Sequence, residues 1–70
     1  MGWSYDPLWK LLIDRKMTRE QLRITVGASS STMAKMARGE NVAMDVLDRI
    51  CNALHCQIGE ILEHVHDDLN

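Results

Sequence analysis

The sequence predicts a small all-α domain of five helices. Three observations carry that reading. Apolar residues recur at i, i+3, i+4 and i+7 in successive stretches, the period of a helix with one buried face. Capping residues precede those stretches and glycines follow them. The composition also favours helix over sheet: 70 residues, 46% apolar, five Met, one Pro, four Gly and no Phe, so aliphatic and Met side chains must fill the core. A chain of this length makes one domain near the lower size limit for folding without staples, with roughly 3–10 kcal/mol of stability. Residues 1–70 read as that single domain, with 1–5 and 66–70 as terminal extensions.

Each helix has its own signals. In the first, Asp6 reads as an N-cap and Pro7 as the first helical residue. Leu8, Leu11, Leu12 and Arg15 then share a face, while Lys10, Asp14 and Lys16 look outward. Thr18 opens the second helix through "TREQ", a capping box in which Gln21 reaches back to Thr18. Its inner stripe is Leu22, Thr25 and Val26, with Ile24 left exposed, and Gly27 ends it in the left-handed region. In "VGASSSTMAKMARGE", Ser29 stands as the N-cap of a third helix. The serines are then its first turn rather than a linker. Met33, Met36 and Ala37 face inward and Gly39 closes the helix. The fourth helix carries Met44, Val46, Leu47, Ile50, Cys51 and Leu54, behind the weak cap Val42-Ala43. Ile58, Ile61, Leu62 and Val65 predict a fifth, and "HDDLN" a fraying tail.

Several function classes fall away. No apolar run approaches the roughly 20 residues of a membrane span. The first residues lack a secretory leader, and the Met-Gly start has Asp6 where a myristoylation signal needs Ser or Thr. A cytoplasmic location is expected. On one continuous helix Cys51 and Cys56 would lie about 140° apart, so both are expected to remain reduced, with Cys51 a small core residue. The cysteines and His55, His64 and His66 lack zinc spacing, and no metal or cofactor is expected. The serine run lacks a nucleophile elbow, so an enzyme is not expected.

The outward face of the third helix points elsewhere. Ser31, Ala34, Lys35 and Arg38 lie opposite its Met stripe, giving small side chains, hydroxyls and two cations without an acid. Arg19 and Arg23 share a side of the second helix. Two short helices joined by a Gly-containing turn, the second with a small basic outer face, have the layout of a DNA-reading helix-turn-helix. Charge distribution agrees, although the net charge is −2. From Trp9 to Asn41 seven Lys/Arg face three acids, a balance of +4; from Val42 to Asn70 one Arg faces six acids, a balance of −5. The domain is thus expected to be dipolar, with one basic end.

From about Leu8 to Leu62 the chain resembles the Cro/repressor-type helix-turn-helix domains of bacteria and phages. The stretches that carry the resemblance are "MTREQL", "VGASSSTMAKMARGE" and "LDRICNALHCQIGEIL". Similar members have a capping Thr, Leu four residues on, Gly in the turn and a capping Ser. They continue with apolar residues where Met33 and Met36 stand and an Arg-Gly end as at Arg38-Gly39. This sequence departs from them with Arg19 in place of Gln, Arg23 in place of Ala, and Val42-Ala43 in place of Pro-Ser.

The resemblance implies a lambda-repressor-like five-helix fold with the helix-turn-helix formed by helices two and three. It implies a sequence-specific, repressor-type regulator whose recognition helix, about 29–38, enters the major groove of double-stranded DNA. Ser29 would cap that helix at the interface. Ser30, Ser31, Thr32 and Lys35 would approach base edges, and Ala34 a thymine methyl. Thr18, Arg19 and Arg23 would anchor phosphates on one side, Arg38 and Asn41 on the other. A homodimer through helix five and the C-terminal segment is expected, with no effector domain for a small molecule. The competing expectation is a helical protein-interaction module, antitoxin-like or anti-repressor-like, that uses the fold without specific DNA binding.

Overall fold

A computed structural model of the chain describes residues 2–66. In order these form β1 (Gly2–Ser4), α1 (Asp6–Asp14), α2 (Arg19–Val26), α3 (Ser30–Ala37), α4 (Met44–Leu54), a 3-10 turn (Ile58–Glu60) and β2 (Glu63–Val65). The fold is mostly helical, with four helices and a small two-stranded sheet.

Local chemistry sets the helix ends. The Gln21 N–H donates to Thr18 Oγ1 at 3.0 Å and the Thr18 N–H to Gln21 Oε1 at 2.8 Å, so the capping box is formed. Gly27 follows in the left-handed region at φ 70°. Ser29 caps α3 by accepting from the Thr32 N–H at 3.1 Å. Ala43 precedes α4 with no side-chain cap. α1 differs from expectation: its N-cap is Tyr5 and no side chain caps it. The Asp6 N–H instead donates to Ser4 Oγ at 3.2 Å, which moves the boundary back by one residue.

The expected fifth helix does not form. Ile58, Ile61, Leu62 and Val65 have helical spacing, but Gly59 is a poor helix former and the segment has a better partner for its backbone. β2 pairs antiparallel with β1, in the register Gly2–Val65, Trp3–His64 and Ser4–Glu63. Only Ile61 of the four is fully buried. The β-branched Val65 suits a strand. Residues 2–5, expected as an extension, are built into the fold, because Tyr5 is a core residue. Its hydroxyl donates to the Glu40 carbonyl at 3.2 Å. Of the expected tail, Asp67, Asp68 and Leu69 lie outside the described residues.

The core joins Leu8 and Leu12 of α1, Leu22 and Val26 of α2, Met36 of α3, Val46, Leu47, Ile50 and Leu54 of α4, and Ile61. Several expected inward positions are not buried. Met33 is half-buried, and Thr25, Ala37 and Arg15 are exposed. Met44 is 75% exposed at the first residue of α4. Thr25 Oγ1 instead donates back to the Gln21 carbonyl at 2.8 Å. Ile24 is exposed, as its position opposite Leu22 predicts. Gly39 is required twice over. Its φ is 72°, and a Cβ there would lie 2.8 Å from the Trp3 carbonyl oxygen.

Leu47 is 4% exposed. Leu47→Ala is expected to remove roughly 2–5 kcal/mol, a large share of the stability of a domain this size. Urea unfolding followed by circular dichroism measures the loss; a midpoint within experimental error of wild type contradicts the placement of α4 at the centre of the core.

Candidate nucleic-acid interface

The turn between α2 and α3 is braced from behind. The Arg49 guanidinium of α4 donates to the Val26 carbonyl at 2.9 Å. From α2 itself, Arg23 donates to the Ala28 carbonyl at 3.4 Å. The Ala28 N–H returns to the Arg23 carbonyl at 3.0 Å. Side chains thus occupy two carbonyls that the end of α2 leaves without helical partners. α2 also packs directly on α4, so the orientation of α3 is tied to the core.

The four hydroxyls of the serine run divide their roles. Ser29 Oγ caps the helix and lies 3.0 Å from both Ser31 Oγ and Thr32 Oγ1. Ser30 is exposed and has no internal partner for its hydroxyl among the described residues. It opens onto a shallow cleft of about 290 Å³ between α2 and α3, whose walls include Arg19, Arg23, Met33 and Ala34. Four of the residues expected at the interface therefore share one concavity. Thr18 stands at the N-terminus of α2, and Lys35 and Arg38 are exposed at the end of α3.

The cations differ in freedom. Arg23 is engaged by Glu20, its Nε donating to Glu20 Oε1 at 2.9 Å. The hydrogen-bonded guanidinium holds the Glu20 carboxyl below its usual value. The acid one turn earlier and the Ala28 carbonyl hold Arg23 against the turn. Arg38 Nε donates to Glu40 Oε2 at 2.7 Å, and that contact lowers the Glu40 carboxyl. Both pairs are solvent-exposed, where such contacts are worth little and can be exchanged for phosphate. Among the described residues, Arg19 and Lys35 take part in no ion pair. Arg19 lies over the Trp9 ring, 3.8 Å from its centroid. This cation–π contact fixes the guanidinium direction and leaves its N–H edges available. Trp9 is the residue that sequence reasoning missed, because its partner sits on the next helix.

Asn41 stands apart. It opens onto a separate apolar hollow of about 560 Å³ shared with Trp3, Tyr5, Val42 and Ile58, not onto the α2–α3 cleft. No helix among the described residues is long and apolar enough to cross a membrane.

This division of hydroxyls is measurable. Ser29→Ala is expected to cost about 1 kcal/mol through loss of the cap, whereas Ser30→Ala should stay within ~0.5 kcal/mol of wild type. Paired urea titrations compare them; equal losses would mean that Ser29 is not the effective cap.

Comparisons with known proteins agree with the geometry. Residues 7–67 match the Cro/C1-type HTH DNA-binding domain. The HTH-type transcriptional regulator YozG of Bacillus subtilis (strain 168) is 33% identical over 60 residues, 83% of this chain and 71% of that protein. The crystal structure of the transcriptional regulator VanUg, form II, superposes with a TM-score of 0.91 at 48% identity, covering 94% of this chain and 88% of that one. The match runs from α1 through the helix-turn-helix and beyond β2, and the chain belongs to the Cro/C1-type helix-turn-helix DNA-binding domains, a family of transcriptional regulators rather than enzymes.

Proposed function

We propose that the protein is a sequence-specific, repressor-type regulator that lays α3 in the major groove and controls transcription by occupying its site in the cytoplasm. The observation that carries this reading is the outer surface of α3. It exposes Ser30, Ser31, Ala34 and Lys35 with no acid on the helix, beside Arg19 free of any ion pair among the described residues. Small side chains let the helix approach the base edges, Ser30, Ser31, Thr32 and Lys35 hydrogen-bond them, and Ala34 meets a thymine methyl.

Phosphates are held by the remaining groups. The exposed N–H groups at the start of α2, next to Thr18, attract anions, and Arg19 adds a directed charge. Arg38 exchanges Glu40 for phosphate, with Asn41 beyond it. Arg23, which braces the turn, exchanges Glu20 for phosphate in the same way. A single recognition helix reads few base pairs. We therefore assign the working form as a homodimer that spaces two copies of α3 about 34 Å apart. Without a helix five, pairing would use the C-terminal segment, where Ile58 and Val65 are exposed. Light scattering across micromolar concentrations tests this; a monomer mass throughout removes the constitutive dimer.

Binding should weaken by about 0.9 log units per phosphate contact for each decade of salt. Affinity unchanged between low and moderate salt defeats the electrostatic reading and favours a protein-interaction module. Selection of bound sequences from random DNA tests specificity directly. Against the selected site, Arg19→Ala should weaken all sequences alike, while Lys35→Ala should alter which sequences are preferred. Uniform weakening by both variants would make Lys35 a phosphate contact rather than a reader.

A further inference from the structure

The chain's two cysteines, Cys51 and Cys56, lie at the end of α4. The helix stops at Leu54, and His55 turns the backbone left-handed at φ 52° and ψ 52°. The reversal returns the Cys56 N–H to the Cys51 carbonyl at 3.1 Å. This is the six-to-one hydrogen bond of a Schellman cap, whose two end residues commonly bring their side chains into contact. In this cap both end residues are cysteine. The separation of about 140° expected on a continuous helix is therefore replaced by a turn that folds one cysteine back toward the other.

Both thiols are free and half-buried. They line one surface hollow of about 270 Å³, together with Met44, Asp48 and Gln57. Burial, and next the neighbouring Cys51, push the Cys56 thiol above its usual value. A small solute can reach this hollow without any helix moving.

We propose that Cys51 and Cys56 form a reactive dithiol at the α4 cap, closed to an intramolecular disulfide by a peroxide and reopened by a thiol reductant. The Cys51 thiolate attacks one peroxide oxygen and the O–O bond breaks. Cys51 becomes a sulfenic acid, and the departing oxygen leaves as water after taking a proton. The Cys56 sulfur then attacks the Cys51 sulfur, and the S–O bond breaks. The released hydroxide takes the Cys56 proton and leaves as the second water. Two thiols lose two electrons and two protons, and one peroxide becomes two waters. Cys56, whose thiol burial raises, offers less thiolate to a peroxide and takes the second, intramolecular role, where proximity offsets that lower fraction. The cap already holds the two ends of the six-residue loop together, so closure adds a bond to an existing turn.

The test treats the reduced 70-residue chain, at high dilution, with one equivalent of hydrogen peroxide and reads intact mass and non-reducing electrophoresis. The expected result is a monomer that loses two hydrogens, recovers them with dithiothreitol, and closes faster when native than in urea. Cys51→Ser and Cys56→Ser should each abolish that loss. Gain of oxygen atoms without loss of hydrogens, chain-to-chain disulfides alone, or equal rates in native and urea-treated protein would overturn the proposal. Phenylarsine oxide adds an arm without oxidation: it bridges two adjacent thiols with release of water. One adduct per wild-type chain that survives excess monothiol supports the pair, and an adduct stripped by monothiol overturns it.

Discussion

The arrangement depends on two carbonyl groups at the end of α2. A tight turn between short helices leaves such groups exposed, and each one without a partner would weaken the angle between the helices. Here Arg49 takes the Val26 carbonyl from α4, and Arg23 takes the Ala28 carbonyl from within α2. Gly27 provides the left-handed step that makes those carbonyls reachable. Helix α3 is thereby held by directed hydrogen bonds as well as by Met36 in the core. It presents a surface of fixed shape although only eight residues long.

That bracing also sorts the charges. Arg49 is the one cation in the acidic half of the chain, and it is engaged by the turn and by Asp45. Arg23 and Arg38 have acids of their own. Arg19 and Lys35, like Lys10, Arg15 and Lys16, take part in no ion pair among the described residues. The location of the unpaired cations beside α3 therefore says more about attraction to a polyanion than the net value does.

Four helices were legible because their signals are local. Thr18 with Gln21, Gly27, and Ser29 before the Met stripe are each decided within a few residues. What failed was non-local. The periodicity of Ile58, Ile61, Leu62 and Val65 looks helical, but the strand partner that captures the backbone of Glu63–Val65 lies at Gly2–Ser4, far away in sequence. The packing of Trp9 under Arg19 is invisible for the same reason. The Glu20–Arg23 pair was within reach, since three-residue spacing on a helix brings such groups together. The cysteine pair turned on one residue: a left-handed conformation is uncommon for a non-glycine, although histidine enters it more readily than most, and His55 adopts it.

The β1–β2 pairing closes nearly the whole described chain into a ring, from Gly2 to Val65. Closing so long a loop adds an entropy cost that the local contacts of a helix do not carry, and the sheet that closes it is only three residues long on each side. Such an element forms late in folding and opens early under native conditions. Its opening releases the Trp3 carbonyl from beside Gly39 and loosens the segment that Tyr5 holds at Glu40. The turn that follows α3 is thereby coupled, through a short and easily broken ribbon, to residues at the opposite end of the sequence.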